Sequence, residues 1–231
     1  METIVLGVSD GTEMHAYAAR PPEAPRKGII VLQEVFGVTD FIRSVALRFA
    51  GQGYLAIAPE IFHRTAPPGL VIAYGDYENV APHTEKLSLE DQAADITSCF
   101  DWLVAEGVPQ SNIAVLGFCA GGRNAFLANA KLPLAATVSF YGGKIAPDLL
   151  DRVKDLHAPQ LLLWGGKDTH ILPEHTRAIA DALRAAGKSF VEAIFGDAGH
   201  AFAREGSDRY HETSAKEAWA LTDAFLAKHL V

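Results

Sequence analysis

Three residue types that cooperate in nucleophilic catalysis follow one another along the chain, as Cys119, Asp168 and His200. Each comes shortly after an apolar run that is typical of a buried strand. A thiolate can attack a carbonyl carbon, a histidine can transfer protons, and a carboxylate can orient the histidine. The order nucleophile, acid, histidine therefore predicts hydrolysis of an ester or a similar acyl bond.

The sequence around Cys119 is the most specific of these signals. The run IAVLGF at 113–118 leads into GFCAG at 117–121, a G-x-nucleophile-x-G pattern typical of a sharp turn from a strand into a helix. Glycines two positions before and after the nucleophile prevent collisions in such a turn. The positive end of the helix would favour the thiolate, and the Ala120 N–H would donate to an oxyanion. The alternative is that Cys119 is only a small buried side chain.

The acid and the base are predicted in loops after two later strands. Asp168 follows the run QLLLW and two glycines, and His200 follows SFVEAIF and the sequence GDAG. Taken alone, Asp168 could equally be a turn residue or a helix cap. Active sites of open α/β sheets lie at the carboxyl ends of the strands, so we expect both side chains to meet Cys119 there.

Apolar strand-like runs alternate with helical patterns from about residue 28 onwards, which predicts βαβ units and a mostly parallel sheet. Two strand-like runs joined at Asp10-Gly11 predict an antiparallel hairpin before them. With helices on both faces, this is the α/β-hydrolase fold that the order of the triad also indicates. We predict strands at 3–8, 15–20, 28–33, 54–58, 113–118, 135–140, 160–164 and 189–195, and helices at 40–51, 89–106, 120–130, 174–187 and 212–229.

The segment at about 59–88 interrupts this alternation. Its prolines and glycines break any period, and it contains Phe62, Tyr74 and Tyr77. We therefore interpret it as an irregular lid-like or substrate-binding excursion. Residues 1–231 otherwise predict one domain, because a chain of this length with 49% hydrophobic residues can bury a single large core.

Composition limits the classes of partner. The formal net charge is −8, and no cluster of lysines or arginines offers a surface for nucleic acid or an anionic membrane. We expect no signal peptide or membrane span, and Cys99 and Cys119 lie in segments unlike those of a disulfide-stapled domain. No motif for a metal or phosphate cofactor is present, so we expect neither. We predict a cytoplasmic monomer or small homo-oligomer that binds a small ester or lactone.

Four motifs together resemble the dienelactone hydrolase (carboxymethylenebutenolidase) family over nearly the whole chain: QEVFG at 33–37, GFCAGG at 117–122, WGGKD at 164–168 and AGHAFAR at 198–204. The resemblance implies a Cys-Asp-His triad on the α/β-hydrolase fold. It further implies that Glu34 contacts the resting thiol and takes its proton when substrate binds. The Val35 N–H would be the second oxyanion donor, and Arg204 would bind a substrate carboxylate.

One feature of the family is missing from the chain. The family has a second carboxylate-binding arginine in the excursion, where this sequence reads NVAPHTEK at 79–86. Arg64 or Lys86 would have to replace it, or the chain accepts a different acyl group. Two other hypotheses are a ligand sensor without turnover and a protein that responds to oxidation of Cys119. A cysteine without a resolving partner disfavours the latter.

Overall fold

The computed structural model describes all 231 residues. It contains one sheet of eight strands, in the order β1-β2-β4-β3-β5-β6-β7-β8. The strands β3 to β8 all run parallel to one another, whereas β1 pairs with β2, and β2 with β4, in antiparallel register. The predicted α/β-hydrolase architecture is confirmed. The strands are β1 (Glu2–Gly7), β2 (Glu13–Ala19), β3 (Lys27–Leu32), β4 (Tyr54–Pro59), β5 (Ile113–Phe118), β6 (Ala136–Phe140), β7 (Gln160–Gly165) and β8 (Phe190–Phe195).

Side chains alternate along the central strands between two hydrophobic cores. In β3, Ile29 and Val31 belong to the larger core, and Ile30 and Leu32 to the smaller one on the opposite face. Because successive side chains of a strand point to opposite faces, a strand buried on both sides is apolar throughout. Such runs made these strands predictable from the sequence.

Helices supply the other half of each core. Residues of α1, α5 and α6 contribute to the larger core, whereas α3 and α4 contribute to both, α3 mainly to the smaller one. No helix of the structure is long and apolar enough to cross a membrane. The helices are α1 (Asp40–Gly51), α2 (Tyr77–Thr84), α3 (Leu89–Ala105), α4 (Ala120–Asn129), α5 (Pro173–Ala185) and α6 (Glu212–His229), and short 3-10 helices lie at Gln110–Asn112 and Leu150–Asp155.

The excursion is more regular than the sequence predicted. The prediction of an irregular segment at about 59–88 is wrong at Tyr77–Thr84, which form the helix α2. The Asp76 side chain accepts a hydrogen bond from the Asn79 N–H and caps this helix, and Pro82 removes only one donor from it. Local capping thus outweighs the disfavoured proline in a helix of only eight residues.

The excursion is attached to the loop that follows β3. Gly37 and Val71 form an isolated antiparallel bridge, and the Ile72 N–H donates to the Phe36 carbonyl oxygen at 2.9 Å. Phe36, Ile72 and Val80 form a third small apolar cluster. The excursion therefore lies against the loop that contains Glu34 and Val35, next to the carboxyl end of the sheet.

Candidate active site

Cys119 occupies the turn between β5 and α4 with a backbone φ of +53°. A residue other than glycine adopts this conformation only where the surroundings enforce it. A β-carbon on Gly117 would overlap the carbonyl group of Gly121, and one on Gly121 would overlap the carbonyl oxygen of Leu32. The two glycines therefore let the turn pack directly on β3, which holds the thiol at the open end of the sheet.

His200 and Asp168 meet through a short hydrogen bond. His200 Nδ1 lies 2.7 Å from Asp168 Oδ2, although the two residues belong to different loops. The other carboxylate oxygen, Oδ1, accepts the backbone N–H groups of His170 at 2.7 Å and Ile171 at 3.1 Å. Both oxygens of Asp168 are therefore engaged. With Nδ1 used in this way, Nε2 is the free nitrogen of His200.

The ionisation of this pair follows from its surroundings. Burial alone would lower the pKa of His200, but the hydrogen bond to Asp168 and the neighbouring Cys119 sulfur outweigh burial and raise that pKa to about 10. Burial alone would raise the pKa of Asp168, yet its hydrogen bonds and the His200 charge hold the pKa of this carboxyl below its usual value. The arrangement therefore favours a protonated ring beside an ionised carboxylate.

Glu34 and Arg204 form a buried ion pair beside the thiol. Arg204 Nη1 lies 3.3 and 3.5 Å from the two carboxylate oxygens of Glu34, and both side chains are at least nine-tenths buried. Burial raises the pKa of Glu34, although the Arg204 charge counteracts part of this rise. The structure contains no hydrogen bond between Glu34 and Cys119. In this state the carboxylate is directed at Arg204 and forms no hydrogen bond with the thiol.

Two backbone N–H groups adjoin the nucleophile. Ala120 is the first residue of α4, so its N–H has no acceptor within the helix. The N–H of Val35 forms no hydrogen bond to the protein. Free donors of this kind can bind a developing oxyanion. The structure therefore leaves both sequence-predicted donors available.

These groups line or adjoin one cavity of about 130 Å³. Five of the seven sequence-predicted site residues line it, while Asp168 lies behind His200 and Ala120 follows Cys119 directly. No group of three or more histidine, cysteine, aspartate or glutamate side chains is placed to hold a metal ion. The cavity is lined by Glu34, Val35, Phe36, Tyr74, Gly75, Tyr77, Cys119, His170, His200, Ala201, Arg204, Asp208 and Arg209.

The cavity contains a cation that sequence reasoning missed. Arg209 is exposed at the rim and has no carboxylate oxygen within 4 Å, whereas the charge of Arg204 is already paired with Glu34. Arg64, which the sequence offered as a replacement for the missing family arginine, instead binds Asp95 through both terminal nitrogens. Arg209 lies in an irregular loop, so no periodicity could have indicated it.

The sequence named Tyr74 among the aromatic residues of the excursion, but it did not predict the contacts that aromatic rings make at the site. Arg204 stacks on the Tyr74 ring, with its guanidinium carbon 3.9 Å from the centroid. Tyr141 is completely buried, its ring lies 5.1 Å from that of His200, and its hydroxyl has no hydrogen-bond partner. Its φ of +39° at the end of β6 is unusual for an aromatic residue. These contacts join distant segments, which a single sequence does not show.

Comparisons with known proteins agree with the motifs. The model of the "Dienelactone hydrolase family" matches residues 14–230. A curated protein of Yersinia pestis, described as "Putative carboxymethylenebutenolidase", is 37% identical over 225 residues, covering 91% of this chain and 82% of that protein. The carboxymethylenebutenolidase of Pseudomonas putida is 27% identical over 216 residues, covering 93% and 91%. The similarity thus extends over almost the whole chain.

Solved structures give the same result. The crystal structure described as "Putative Dienelactone Hydrolase" from Klebsiella pneumoniae matches with a TM-score of 0.88 and 34% identity, and covers 98% of both chains. The dienelactone hydrolase-like promiscuous phosphotriesterase P91 matches with a TM-score of 0.84 at 21% identity, over 100% of this chain and 99% of that one. At that identity the second match shows the fold alone.

Proposed function

Because the chain belongs to the dienelactone hydrolase family, and is therefore a carboxylic ester hydrolase, we propose that it cleaves a small ester or lactone through a Cys119 thioester. The observation that carries this proposal is the 2.7 Å hydrogen bond between His200 and Asp168 at the cavity that contains Cys119. A nucleophile, a base and an orienting acid then serve one reaction centre.

In the acylation step, the carboxylate of Glu34 takes the proton of the Cys119 thiol. Its raised pKa suits this role, and a substrate anion that binds Arg204 would release it from its ion pair. The thiolate adds to the carbonyl carbon while the N–H groups of Val35 and Ala120 hold the oxyanion. The carbon–oxygen bond breaks, and the leaving oxygen takes a proton from the protonated His200 ring, which becomes neutral. In a lactone the leaving group stays tethered.

Water then cleaves the thioester. The negative charge on the Cys119 sulfur is one of the causes that raise the pKa of His200. Acylation removes this charge, so the pKa falls and the neutral form of the ring, which can accept a proton, becomes more populated. His200 accepts a proton from water while Asp168 holds its tautomer. The hydroxide adds to the carbonyl carbon, the carbon–sulfur bond breaks with its electron pair on sulfur, and the acid leaves. Glu34 then returns its proton to the thiolate, which restores the resting site.

The role of Glu34 can be tested by replacing it with glutamine. Glu34→Gln keeps an oxygen that can accept from Arg204, but the amide cannot take a proton. We expect kcat/KM at neutral pH to fall about a hundredfold, a typical contribution of general base catalysis. The loss should shrink as pH rises, because hydroxide can then remove the thiol proton. A variant with native activity across the pH range would exclude Glu34 as the base.

The substrate class can be tested through Arg209, whose charge is unpaired at the cavity rim. We expect the native chain to hydrolyse carboxylated unsaturated lactones with a lower KM than uncharged aryl esters, since an anion can bind this cation. In Arg209→Gln, KM for the carboxylated lactones should rise about tenfold, with little change for the uncharged esters. Steady-state kinetics with both substrate sets measures this difference.

The control for this experiment is Arg177→Gln, which removes another exposed arginine, in α5 and outside the cavity. It should leave both KM values unchanged. An equal rise for charged and uncharged substrates in Arg209→Gln would contradict charge recognition by this residue. A native chain that hydrolyses nothing in the panel but binds lactones in a calorimeter would favour the ligand sensor over the hydrolase.

A further inference from the structure

A second histidine lies beside the catalytic one. The centroid of the His170 ring is 5.1 Å from that of His200, and the two ring planes are nearly perpendicular, at 77°. Both rings line the cavity that contains Cys119. His200 also packs against the fully buried Tyr141 ring, again with 5.1 Å between the ring centroids. His200 therefore contacts one aromatic ring in the protein interior and one exposed ring, that of His170.

The position of His170 is set by its backbone, and its side chain is free. Its N–H donates to Asp168 Oδ1 at 2.7 Å, so the turn that holds the catalytic acid also places this residue. Its imidazole is exposed and forms no hydrogen bond or ion pair with the protein. By contrast, His63 and His83 in the excursion are bound to Asp95 and Thr65. His170 is thus a free hydrogen-bonding group next to the reacting atoms.

We propose that His170 positions the hydrolytic water in the second half of the reaction. This inference rests on the thioester mechanism proposed above. A ring nitrogen of His170 accepts one hydrogen bond from the water, and His200 Nε2 accepts the proton that is transferred. The water oxygen bonds to the thioester carbon, and the electron pair of the broken carbon–sulfur bond returns to Cys119. His170 gains and loses no proton in this step.

The role predicts that only deacylation depends on His170. With an aryl ester, acylation and deacylation can be measured separately. A phenolate leaves without a proton donor, and water enters only in deacylation. His170→Phe keeps an aromatic ring against His200 but removes both nitrogens. We expect the acyl-enzyme to form at the native rate. Its hydrolysis should be slower by about tenfold to a hundredfold, because the water is no longer held in place. Rapid quenching followed by intact mass measurement gives both rates.

His170→Gln provides the matched variant, because its amide oxygen can again accept a hydrogen bond. We expect this variant to recover part of the native deacylation rate. Native decay in His170→Phe would overturn the proposal, and so would equal slowing of both steps, which would indicate an effect on His200 itself. If native and variant chains turn over without ever carrying an acyl group, the thioester mechanism fails instead, and this inference fails with it.

Discussion

Cys119→Ala should lower the turnover of aryl esters and lactones by at least about four orders of magnitude, as removal of the nucleophile does in other triad enzymes. The structure places no second nucleophile at this turn. The remaining cavity groups include the bases Glu34 and His200, but none that can form the thioester. Steady-state hydrolysis measures the loss. Intact mass should show an acyl adduct on the native chain and none on the variant.

Cys99→Ala is the matched control for the loss of a thiol. Cys99 is fully buried in α3, away from the cavity, so its truncation removes packing without touching the reaction centre. We expect native kcat/KM with stability lowered by about 1 kcal/mol, a typical cost of a core truncation. If Cys119→Ala folds like the native chain and keeps its activity, Cys119 is not the nucleophile.

The sequence predicted the strands and the tight turn that hold the site, because local residue patterns specify both. The strands that bear the site are apolar throughout, since both of their faces are buried. The tight turn at Cys119 needs glycines at 117 and 121, where any β-carbon would overlap backbone. Each of the three residues proposed as a triad comes shortly after such a strand. The proximity of His200 and Asp168 could be expected because carboxyl ends of parallel strands meet at one edge of the sheet.

The features that the sequence did not predict have different physical causes. Glu34 and Arg204 are 170 residues apart, and nothing near either residue indicates that they pair. The helix in the excursion was missed because its Asp76 cap outweighs the disfavoured Pro82. Arg209 lines the cavity from an irregular loop, where neither periodicity nor a motif marks it. Sequence pattern therefore predicted the groups that we propose to react, whereas the charges around them became visible only in the structure.

Asp168→Asn should lower kcat by about three to four orders of magnitude and change KM little, as this substitution does in serine-type triads. The amide is nearly the same size, but its NH₂ group can donate where the carboxylate only accepts. Donation to Nδ1 would stabilise the tautomer with hydrogen on Nε2, which cannot accept a proton from water. Asp197→Asn, an exposed change beside the same loops, should keep native activity.

The same variant should change how stability depends on pH. The pKa of His200 is raised to about 10 in the folded chain, partly through Asp168, against about 6.5 for an unfolded histidine. Between these two pKa values the folded state binds more protons than the unfolded state. The contribution of His200 to folding stability is therefore fully present below pH 6.5 and is lost as pH rises through about 10. Urea unfolding at pH 6, 8 and 10 should show a smaller decline in Asp168→Asn than in the native chain. Equal declines would mean that Asp168 does not hold the proton on His200, and its role would then be limited to orienting the ring.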